Sequence, residues 1–300
     1  MTILPILLLI LLIKTPSICH AGFAAKHILK PAVTSGGQLT SLKYTNVGGS
    51  GSYQRVTGML EDDGLSCSKP KDFCIKSPVT VSGPLSPFDS DLTLVFSGPT
   101  KIYNIAVYQP PGSSNTANWA RVSRFKAGKP NPKNLVFMNN QGGKIGSKSG
   151  TWGPCGGSSQ SYASGDFAGN VSTPNQEVFT GDVPPGLEVN IMTSTKCTSS
   201  SNCPGYYRGT AHAGWSGSKL FVIEFSMPDA HDIAMKPPAI WILNGEVVRA
   251  AQYGCNCRGM GGKGGCGELD ILENLKDAPY NGISELYRQV PINRPGKLDG

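Results

Sequence analysis

The stretch Glu268-Leu269-Asp270-Ile271-Leu272-Glu273 places three carboxylic acids among three apolar residues. In a β-strand, successive side chains point to opposite faces of the sheet, so Glu268 and Asp270 share one face and Leu269 lies on the other. Strict alternation would put Glu273 on the apolar face. One additional residue in the strand, a β-bulge, would restore the phase. The pattern therefore predicts a bulged strand with all three acids on one face.

Three acids placed so close together repel one another, and partial burial adds to the cost of their charges. Both effects raise the pKa of at least one of the acids. A protonated acid beside an ionised carboxylate is the pair that glycoside cleavage requires, because one group protonates the leaving oxygen while the other attacks or stabilises the anomeric carbon. The alternative is an exposed edge strand with solvated acids, since short motifs also arise by chance.

The first 21 residues have the features of a secretory signal peptide. Residues 3–13 are almost wholly apolar but too few to span a bilayer as a helix. Cys19-His20-Ala21 offers small residues at a cleavage position, although no Lys or Arg precedes the apolar run. No later run is apolar and long enough for a membrane span. We therefore expect a soluble, exported mature protein.

The chain has nine cysteines, of which eight remain if cleavage follows Ala21. An even number in an exported chain indicates disulfides. The local pairs Cys197–Cys203 and Cys67–Cys74 are predicted, whereas the connectivity of the remaining four stays open: Cys155, Cys255, Cys257 and Cys266. A disulfide that pins the Gly-rich loop before the acidic strand is favoured over a zinc site, because exported thiols oxidise and no histidine lies near in the sequence. No metal and no cofactor are expected.

The net charge of +7 is spread over scattered lysines and arginines. There is no basic run interleaved with aromatic residues, so a nucleic-acid partner is not expected. The charge is explained by solubility or by loose attraction to a polyanionic extracellular surface. We expect the protein to be a monomer.

Short β-prone runs alternate with Gly/Pro turns from Val79 onward. Strands are predicted at residues 92–96, 102–108, 134–138, 186–192, 219–227 and 237–244. No amphipathic helix of normal length is found. The pattern predicts an all-β fold, an antiparallel β-sandwich of the concanavalin-like jelly-roll type, with one sheet face open to a long polymer. Residues 22–78, which are rich in glycine, are expected to form a small N-terminal module, and residues 79–300 the sandwich domain.

A Gly/Ser-rich loop is predicted over residues 142–169. It is followed by an N-glycosylation sequon, Asn170-Val171-Ser172, which indicates a surface position if it is used.

Five residues outside the acidic strand are candidates for sugar binding. Sugars stack their C–H faces on aromatic rings, so Trp241 and Trp215 are possible platforms, each with a core position as the alternative. Asn244 follows Trp241 and is a candidate for binding hydroxyl groups, together with Arg249 and Gln252. All three polar residues would equally suit loops in which they satisfy the backbone.

Together with the upstream sequence PPAIWILN (residues 237–244), GELDILE (residues 267–273) resembles glycoside hydrolase family 16. The active strand of that family reads Glu-x-Asp-x-x-Glu in its bulged branch, and its upstream strand carries Pro-Ala-x-Trp. Residues 44–275 also resemble the glucanase-like cell-wall glycosyl hydrolases of fungi and oomycetes, which have a small Gly-rich N-terminal domain. The ordered matching segments are YTNVGGSGSYQRV, GPLSPFDSDLTLVFSGPTKIYNIAVYQP, WARVSRF, NLVFMNNQGG, YYRGTAHAGWSGSKLFVIEFSMP, PPAIWILNGEVVRAAQYGCNC and CGELDILENL.

The resemblance implies a secreted β-jelly-roll hydrolase or transglycosylase that acts on cell-wall β-1,3-glucan. By motif position it implies that Glu268 is the nucleophile, Glu273 the general acid/base, and Asp270 a hydrogen-bonding partner that tunes the nucleophile. The implied mechanism is retaining, through a glycosyl-enzyme at Glu268. On a flat strand the two glutamate backbones stand roughly 13 Å apart, so curvature and leaning side chains must bring the carboxyls to ~5 Å.

The resemblance departs from the family pattern at the end of the chain. Family 16 folds continue well past the acidic strand, whereas residues 274–300 alone follow it here. The sandwich domain is therefore expected to be a fragment or a shortened form. Two other interpretations stay open: a non-catalytic glucan-binding wall protein, and a secreted structural module held by disulfides. The presence of all three acids favours the enzyme.

Overall fold

The computed structural model describes residues 7–13, 42–44, 47–59, 74–111, 118–129, 132–142, 159–163, 179–201, 203–207, 210–227, 238–252, 255–258, 265–275 and 278–287. The described residues form fourteen strands and one short helix: β1 (Leu7–Ile13), β2 (Gly51–Met59), β3 (Cys74–Val81), β4 (Leu92–Ser97), β5 (Thr100–Gln109), β6 (Ala120–Lys126), β7 (Val136–Gly142), β8 (Ser159–Tyr162), β9 (Asp182–Val183), β10 (Glu188–Met192), β11 (Lys219–Ser226), β12 (Ala239–Asn244), α1 (Gly245–Arg249), β13 (Glu268–Leu275) and β14 (Ala278–Tyr287).

Two antiparallel sheets pack face to face. The five-stranded sheet has the order β1-β11-β5-β6, with β9 paired to β5, and the seven-stranded sheet has the order β14-β13-β12-β4-β10-β7-β8. Apolar side chains from both sheets form one buried core, with Phe221 and Ile105 from the first sheet and Phe96, Ile191 and Ile240 from the second. The predicted all-β antiparallel sandwich is confirmed.

The six strands predicted from sequence correspond to β4, β5, β7, β10, β11 and β12. Their β-branched and aromatic runs are long enough to be recognised alone. The prediction of an uninterrupted loop over residues 142–169 is wrong at β8, whose polar sequence SQSY forms a strand by pairing with β7. The sequon at Asn170 lies outside the described residues.

A two-stranded hairpin, β2–β3, packs against the outer face of the seven-stranded sheet. Tyr53 of β2 is buried there with Trp241 of β12 and Val95 of β4. The backbone N–H of Tyr206 donates to the carbonyl of Val56 at 2.8 Å. The predicted domain boundary near residue 78 falls within β3. In the described residues, the hairpin shares a buried cluster with the sandwich.

Three disulfides lie among the described residues. The predicted pair Cys197–Cys203 is confirmed. Cys74 is bonded to Cys255, so the predicted Cys67–Cys74 pair is wrong, because β3 lies beside the segment that follows α1.

The predicted disulfide before the acidic strand is also confirmed. Cys257 and Cys266 close the Gly-rich segment that precedes β13. With Cys255 also bonded, none of these three cysteines offers a free thiolate to zinc. Cys67 and Cys155 lie outside the described residues.

The apolar segment β1 pairs with β11 along its whole length, from Leu7 opposite Phe225 to Ile13 opposite Lys219. It is an edge strand of the five-stranded sheet. The assignment of residues 1–21 as a signal peptide stays a prediction. Among the described residues, no helix has the length and apolar character that crossing a membrane requires.

A buried ion pair fastens the hairpin to α1. Arg55 donates from Nε and Nη2 to the two carboxylate oxygens of Glu246, both at 2.8 Å, and the Tyr53 hydroxyl donates to Glu246 Oε1 at 2.7 Å. The Glu246 side chain is only 5% exposed. Since the carboxylate accepts from both residues, its loss would leave the buried Tyr53 hydroxyl and the partly buried Arg55 guanidinium without that acceptor.

Glu246→Ala is expected to lower the free energy of unfolding by about 3 kcal/mol, because removal of one partner leaves a largely buried cation unpaired. Urea denaturation of both proteins measures the difference. Asp182→Ala is the matched control, since it removes an ion pair to Lys101 in which Asp182 is 58% exposed. It should cost no more than about 1 kcal/mol. Equal losses in the two variants would contradict the role given to Glu246.

Candidate active site

The β-bulge predicted in the acidic strand is present in β13. On one side, Asp270 lies opposite Trp241 and Leu272 lies opposite Ile240, so Ile271 is the additional residue. The pairing with β14 is also interrupted between Asp270 and Glu273. The bulge prediction is confirmed from both neighbouring strands.

The bulge divides the side chains of β13 between two environments. Leu269, Ile271 and Leu272 contact the core between the sheets. Glu268, Asp270 and Glu273 lie on the opposite side, which we call the acid face of the seven-stranded sheet. Because directly opposite residues of antiparallel strands share a face, β12 and β14 place further side chains beside the acids.

Two of the three acids are deeply buried. Glu268 is 5% exposed and Asp270 is 7% exposed, whereas Glu273 is half-buried. Arg258 forms an ion pair with Glu268, with 2.7 Å between Nε and Oε2. The cation belongs to the segment between the bonded cysteines Cys257 and Cys266. This contact compensates the charge of Glu268 directly.

A fourth acid, Glu285 of β14, joins the cluster. It lies directly opposite Asp270, and one carboxylate oxygen each from Asp270, Glu273 and Glu285 lie within 4.8 Å of one another. The Tyr287 hydroxyl donates to Glu285 Oε2 at 2.5 Å.

Sequence reasoning missed Glu285 because β14 was not recognised as a strand. Its sequence APYNGISELY contains Asn-Gly, a dipeptide typical of turns. The signal that could have found it is the alternation at its end: Leu286 packs against the core, so Glu285 and Tyr287 point to the other face.

Burial is the main cause of the altered pKa values in the cluster. It raises the pKa of Glu268 to about 7, an effect that Arg258 opposes and the neighbouring acids reinforce. It raises the pKa of Asp270 to about 8, with repulsion from Glu268 and Glu273 adding to it. Burial and the charge of Glu285 also raise the pKa of Glu273. The predicted rise is confirmed, and the cluster retains protons at neutral pH.

Trp241 lies on the acid face beside Asp270. It is 4% exposed, and the guanidinium carbon of Arg258 stands 5.2 Å from the ring centroid, in cation–π contact. Its indole N–H donates to Ser97 Oγ at 3.2 Å. The ring therefore supports the cation that pairs with Glu268, and its predicted role in sugar stacking stays a prediction.

A line of polar groups continues from Trp241 across the acid face. Ser97 donates to Glu188 Oε1 at 3.3 Å, and Gln252 Nε2 donates to Glu188 Oε2 at 3.0 Å. Asn190 donates to Gln252 Oε1 at 2.9 Å. Gln252, one of the candidates for binding hydroxyl groups, thus lies on the acid face, while Glu188 and Asn190 were not singled out from sequence.

The structure places Trp215 and Asn244, two residues predicted to bind substrate, in structural positions. Trp215 is 1% exposed within the core between the sheets, and its N–H donates to Ser123. Asn244 caps α1: its side-chain oxygen accepts from the Glu246 N–H, and its amide donates to Ser90 and to the Cys266 carbonyl. Both side chains are consumed by the fold.

Arg249, the third polar candidate, also has a structural role. It forms a buried ion pair with Asp91 and donates to the carbonyls of His212 and Pro204. The pair joins the end of α1 to the start of β4. Its side chain is fully buried in this position.

The acid face, on a sheet for which an open face was expected, is partly covered. Tyr53 and Val79 of the hairpin and Val247 and Val248 of α1 belong to a second apolar cluster on it. Three acids remain partly exposed: Glu188, Glu273 and Glu285. A ligand that reached the cluster would therefore meet Glu273 and Glu285 before Glu268.

Comparison with protein families gives two matches. The model described as the C-terminal part of cell wall protein YJL171C/Tos1 matches residues 117–299. The model of the N-terminal part matches residues 40–110. No solved structure matches.

Curated relatives carry glucanase names. The chain is 34% identical to the "Probable circularly permuted 1,3-beta-glucanase TOS1" of Saccharomyces cerevisiae, over 83% of this chain and 78% of that protein. It is 40% identical to the protein of the same name from Candida albicans, over 59% of this chain and 38% of that protein. A further Candida albicans protein, "Probable circularly permuted 1,3-beta-glucanase PGA52", is 28% identical over 84% of this chain and 67% of its own length. This chain thus spans most of the Saccharomyces cerevisiae relative but well under half of the first Candida albicans relative.

Replacement of Asp270 is expected to stabilise the protein at alkaline pH. Folded Asp270 keeps its proton to about pH 8, whereas an unfolded aspartate loses it near pH ~3.9. Unfolding therefore releases a proton between these values, and stability falls as the pH rises through this window. Asp270→Asn removes this loss, so its advantage in free energy of unfolding should grow by at least about 2 kcal/mol from pH ~4 to pH ~8.

Urea denaturation at several pH values measures that advantage. Asp182→Asn, at a side chain that is 58% exposed, is the control and should show no such growth. Parallel stability curves for Asp270→Asn and the wild type would contradict the burial of a protonated Asp270.

Proposed function

Because the chain belongs to the YJL171C/Tos1 family of cell wall proteins, we propose that it is a cell-wall glycosidase that cleaves or remodels β-1,3-glucan. The relatives named as probable 1,3-beta-glucanases support the substrate class. The proposal for the reaction rests on one observation: the bulge at Ile271 brings Glu273 to the face that carries Glu268 and Asp270. We propose a retaining mechanism with these residues.

In the first step, the Glu268 carboxylate attacks the anomeric carbon. The ion pair with Arg258 supports this role, because a positive charge at 2.7 Å favours the anionic form of Glu268. Asp270, whose pKa is raised to about 8, supplies a proton donor beside the nucleophile rather than a second negative charge.

Glu273 is the proposed general acid. It gives its proton to the glycosidic oxygen as the bond between that oxygen and the anomeric carbon breaks, which leaves a glycosyl ester on Glu268. Its partial exposure suits contact with the leaving sugar and with water. In the second step, Glu273 takes a proton from water or from an acceptor hydroxyl, whose oxygen then attacks the anomeric carbon and releases Glu268.

The relatives' names describe circular permutation, and we propose the same for this chain. In the seven-stranded sheet, β12, β4, β10, β7 and β8 all precede β13 in the sequence, and among the described strands β14 alone follows it. The earlier part of the chain thus supplies neighbours that a family 16 fold is expected to supply after its active strand. We propose that this order accounts for the departure from that family.

A second function, non-catalytic binding of glucan in the wall, is favoured by one observation. Glu268 and Asp270 are at most 7% exposed, and the hairpin and α1 cover part of the acid face. A protein that retains the scaffold only to bind sugar would tolerate this cover. Turnover separates the two functions.

Glu268→Gln and Glu273→Gln are expected to lower kcat on laminarin by roughly 10²–10⁴-fold, the range for loss of a positioned catalytic group. Release of reducing sugar measures the activity, and retained laminarin binding shows that the variants fold. Glu224→Gln is the matched control, because Glu224 lies on β11 of the opposite sheet beside Asn104. Laminarin binding without turnover by the wild type would favour the binding function. A panel of β-1,3-, β-1,4- and mixed-linkage glucans identifies the linkage from the products.

Azide distinguishes the two proposed glutamate roles. With an activated aryl β-laminaribioside, Glu268→Ala plus azide is expected to give the α-glycosyl azide, because azide displaces the aryl group in a single inverting step. Glu273→Ala plus azide is expected to give the β-glycosyl azide, because azide then attacks the intermediate formed on Glu268. NMR of the anomeric proton identifies each product. The reverse pattern would exchange the two roles.

A further inference from the structure

Glu285 is the acid in the cluster to which the proposed mechanism gives no role. It is partly exposed on β14, opposite Asp270, and its carboxylate lies within 4.8 Å of those of Asp270 and Glu273. Another carboxylate at this distance increases the repulsion within the cluster. Its position therefore affects how protons and charges divide among the acids.

Two sets of contacts hold Glu285 in place. The Tyr287 hydroxyl donates to its Oε2 at 2.5 Å, and a hydrogen bond to an ionised acceptor is of the stronger, charge-assisted kind. The strand itself is fixed to β13, because Tyr44 donates to Ser284 at 2.7 Å and Ser284 donates to the Asp270 carbonyl at 2.6 Å. Glu285 is thus held on a paired strand rather than on a free loop.

The charges around Glu273 come from several parts of the fold. The described titratable and charged groups that interact with Glu273 or with the acids beside it are Glu268 and Asp270 of β13, Glu285 and Tyr287 of β14, Glu188 of β10, Tyr44 before β2, and Arg258 after α1. Of the groups just named, Arg258 carries the positive charge, and its ion pair is made with Glu268. The cation Arg258 therefore pairs with the proposed nucleophile, Glu268, whereas the additional acid, Glu285, lies beside the proposed general acid, Glu273.

We propose that Glu285 is a positioning residue for the general acid: its negative charge keeps the proton on Glu273 until the leaving oxygen accepts it. The inference rests on the proposed function, since it assigns a role within that mechanism. Two carboxylates ~5 Å apart disfavour a second negative charge. After burial, the charge of Glu285 is the cause that raises the pKa of Glu273. Arg258 thus favours the negative charge on Glu268, and Glu285 favours the proton on Glu273, so the two catalytic glutamates differ in protonation.

The pH dependence of kcat/KM tests this role. Its alkaline limb reports the loss of the proton from the general acid in the free enzyme. Glu285→Gln removes the charge but keeps the size, so the limb should move to lower pH by at least about 0.6 pH unit, the effect of one charge ~5 Å away even in water-like surroundings. Glu285→Asp keeps the charge and should restore most of the wild-type limb, and Glu224→Gln should leave the limb unchanged. An unmoved limb in Glu285→Gln, with activity lowered equally at every pH, would overturn the proposal.

A titration without substrate separates this proposal from the proposed function. Carboxyl carbon-13 NMR follows the protonation of Glu273, with its resonance assigned by its loss in Glu273→Gln. Glu273 should titrate at lower pH in Glu285→Gln than in the wild type, whether or not the wild type cleaves laminarin. The same titration curve in both proteins would overturn the role of Glu285. A wild type without turnover, but with the expected difference in titration, would contradict the enzyme function and support the electrostatic coupling.

Discussion

The arrangement of the acids depends on one irregularity in backbone pairing, the bulge at Ile271. The side chains of a strand alternate with a period of two, so an acid five residues after Glu268 would lie with Leu269 in the core between the sheets. One additional residue is the smallest change that transfers Glu273 to the acid face while Leu269 stays in the core. Ile271 and Leu272 both contact that core, so the apolar contacts of β13 are kept on both sides of the bulge.

Repulsion and burial of the gathered acids lower the stability of the fold. Arg258, in the segment that precedes β13, offsets part of this loss. Arg258 follows Cys257 directly, and Cys257 is bonded to Cys266 just ahead of Glu268. Two residues earlier, Cys255 is bonded to Cys74 of the hairpin. The segment that carries the cation is therefore fixed covalently on both sides of the site. Because the attraction between charges depends on their separation, these disulfides help to hold Arg258 at 2.7 Å from Glu268.

The sequence predicted those features that local pattern determines. Runs of β-branched and aromatic residues identified β4, β11 and β12 as strands, and the motif Glu268-x-Asp270-x-x-Glu273 identified the bulge. What it could not show depends on pairing between distant segments. Glu285 belongs to the site only because β14 folds back beside β13.

Trp215 and Asn244, both predicted to bind sugar, show what residue type alone leaves undecided. Residue type could not distinguish Trp215 from Trp241, since a tryptophan suits a core and a sugar platform equally well. The two differ in position, because Trp215 lies in the core between the sheets and Trp241 on the acid face. Asparagine is a preferred helix N-cap residue, the position that Asn244 takes at α1. The alternative interpretation, a structural position, fits both residues, because their side-chain hydrogen-bonding groups have partners within the fold.

The cover provided by the hairpin also makes the acid face a different environment from an open sheet. Burial is the first cause of the raised pKa values of Glu268 and Asp270, and it depends on all the segments that pack on the acid face. The contact between Arg55 and Glu246 fixes one of these segments, the hairpin. It therefore contributes to the electrostatics of the acids as well as to stability.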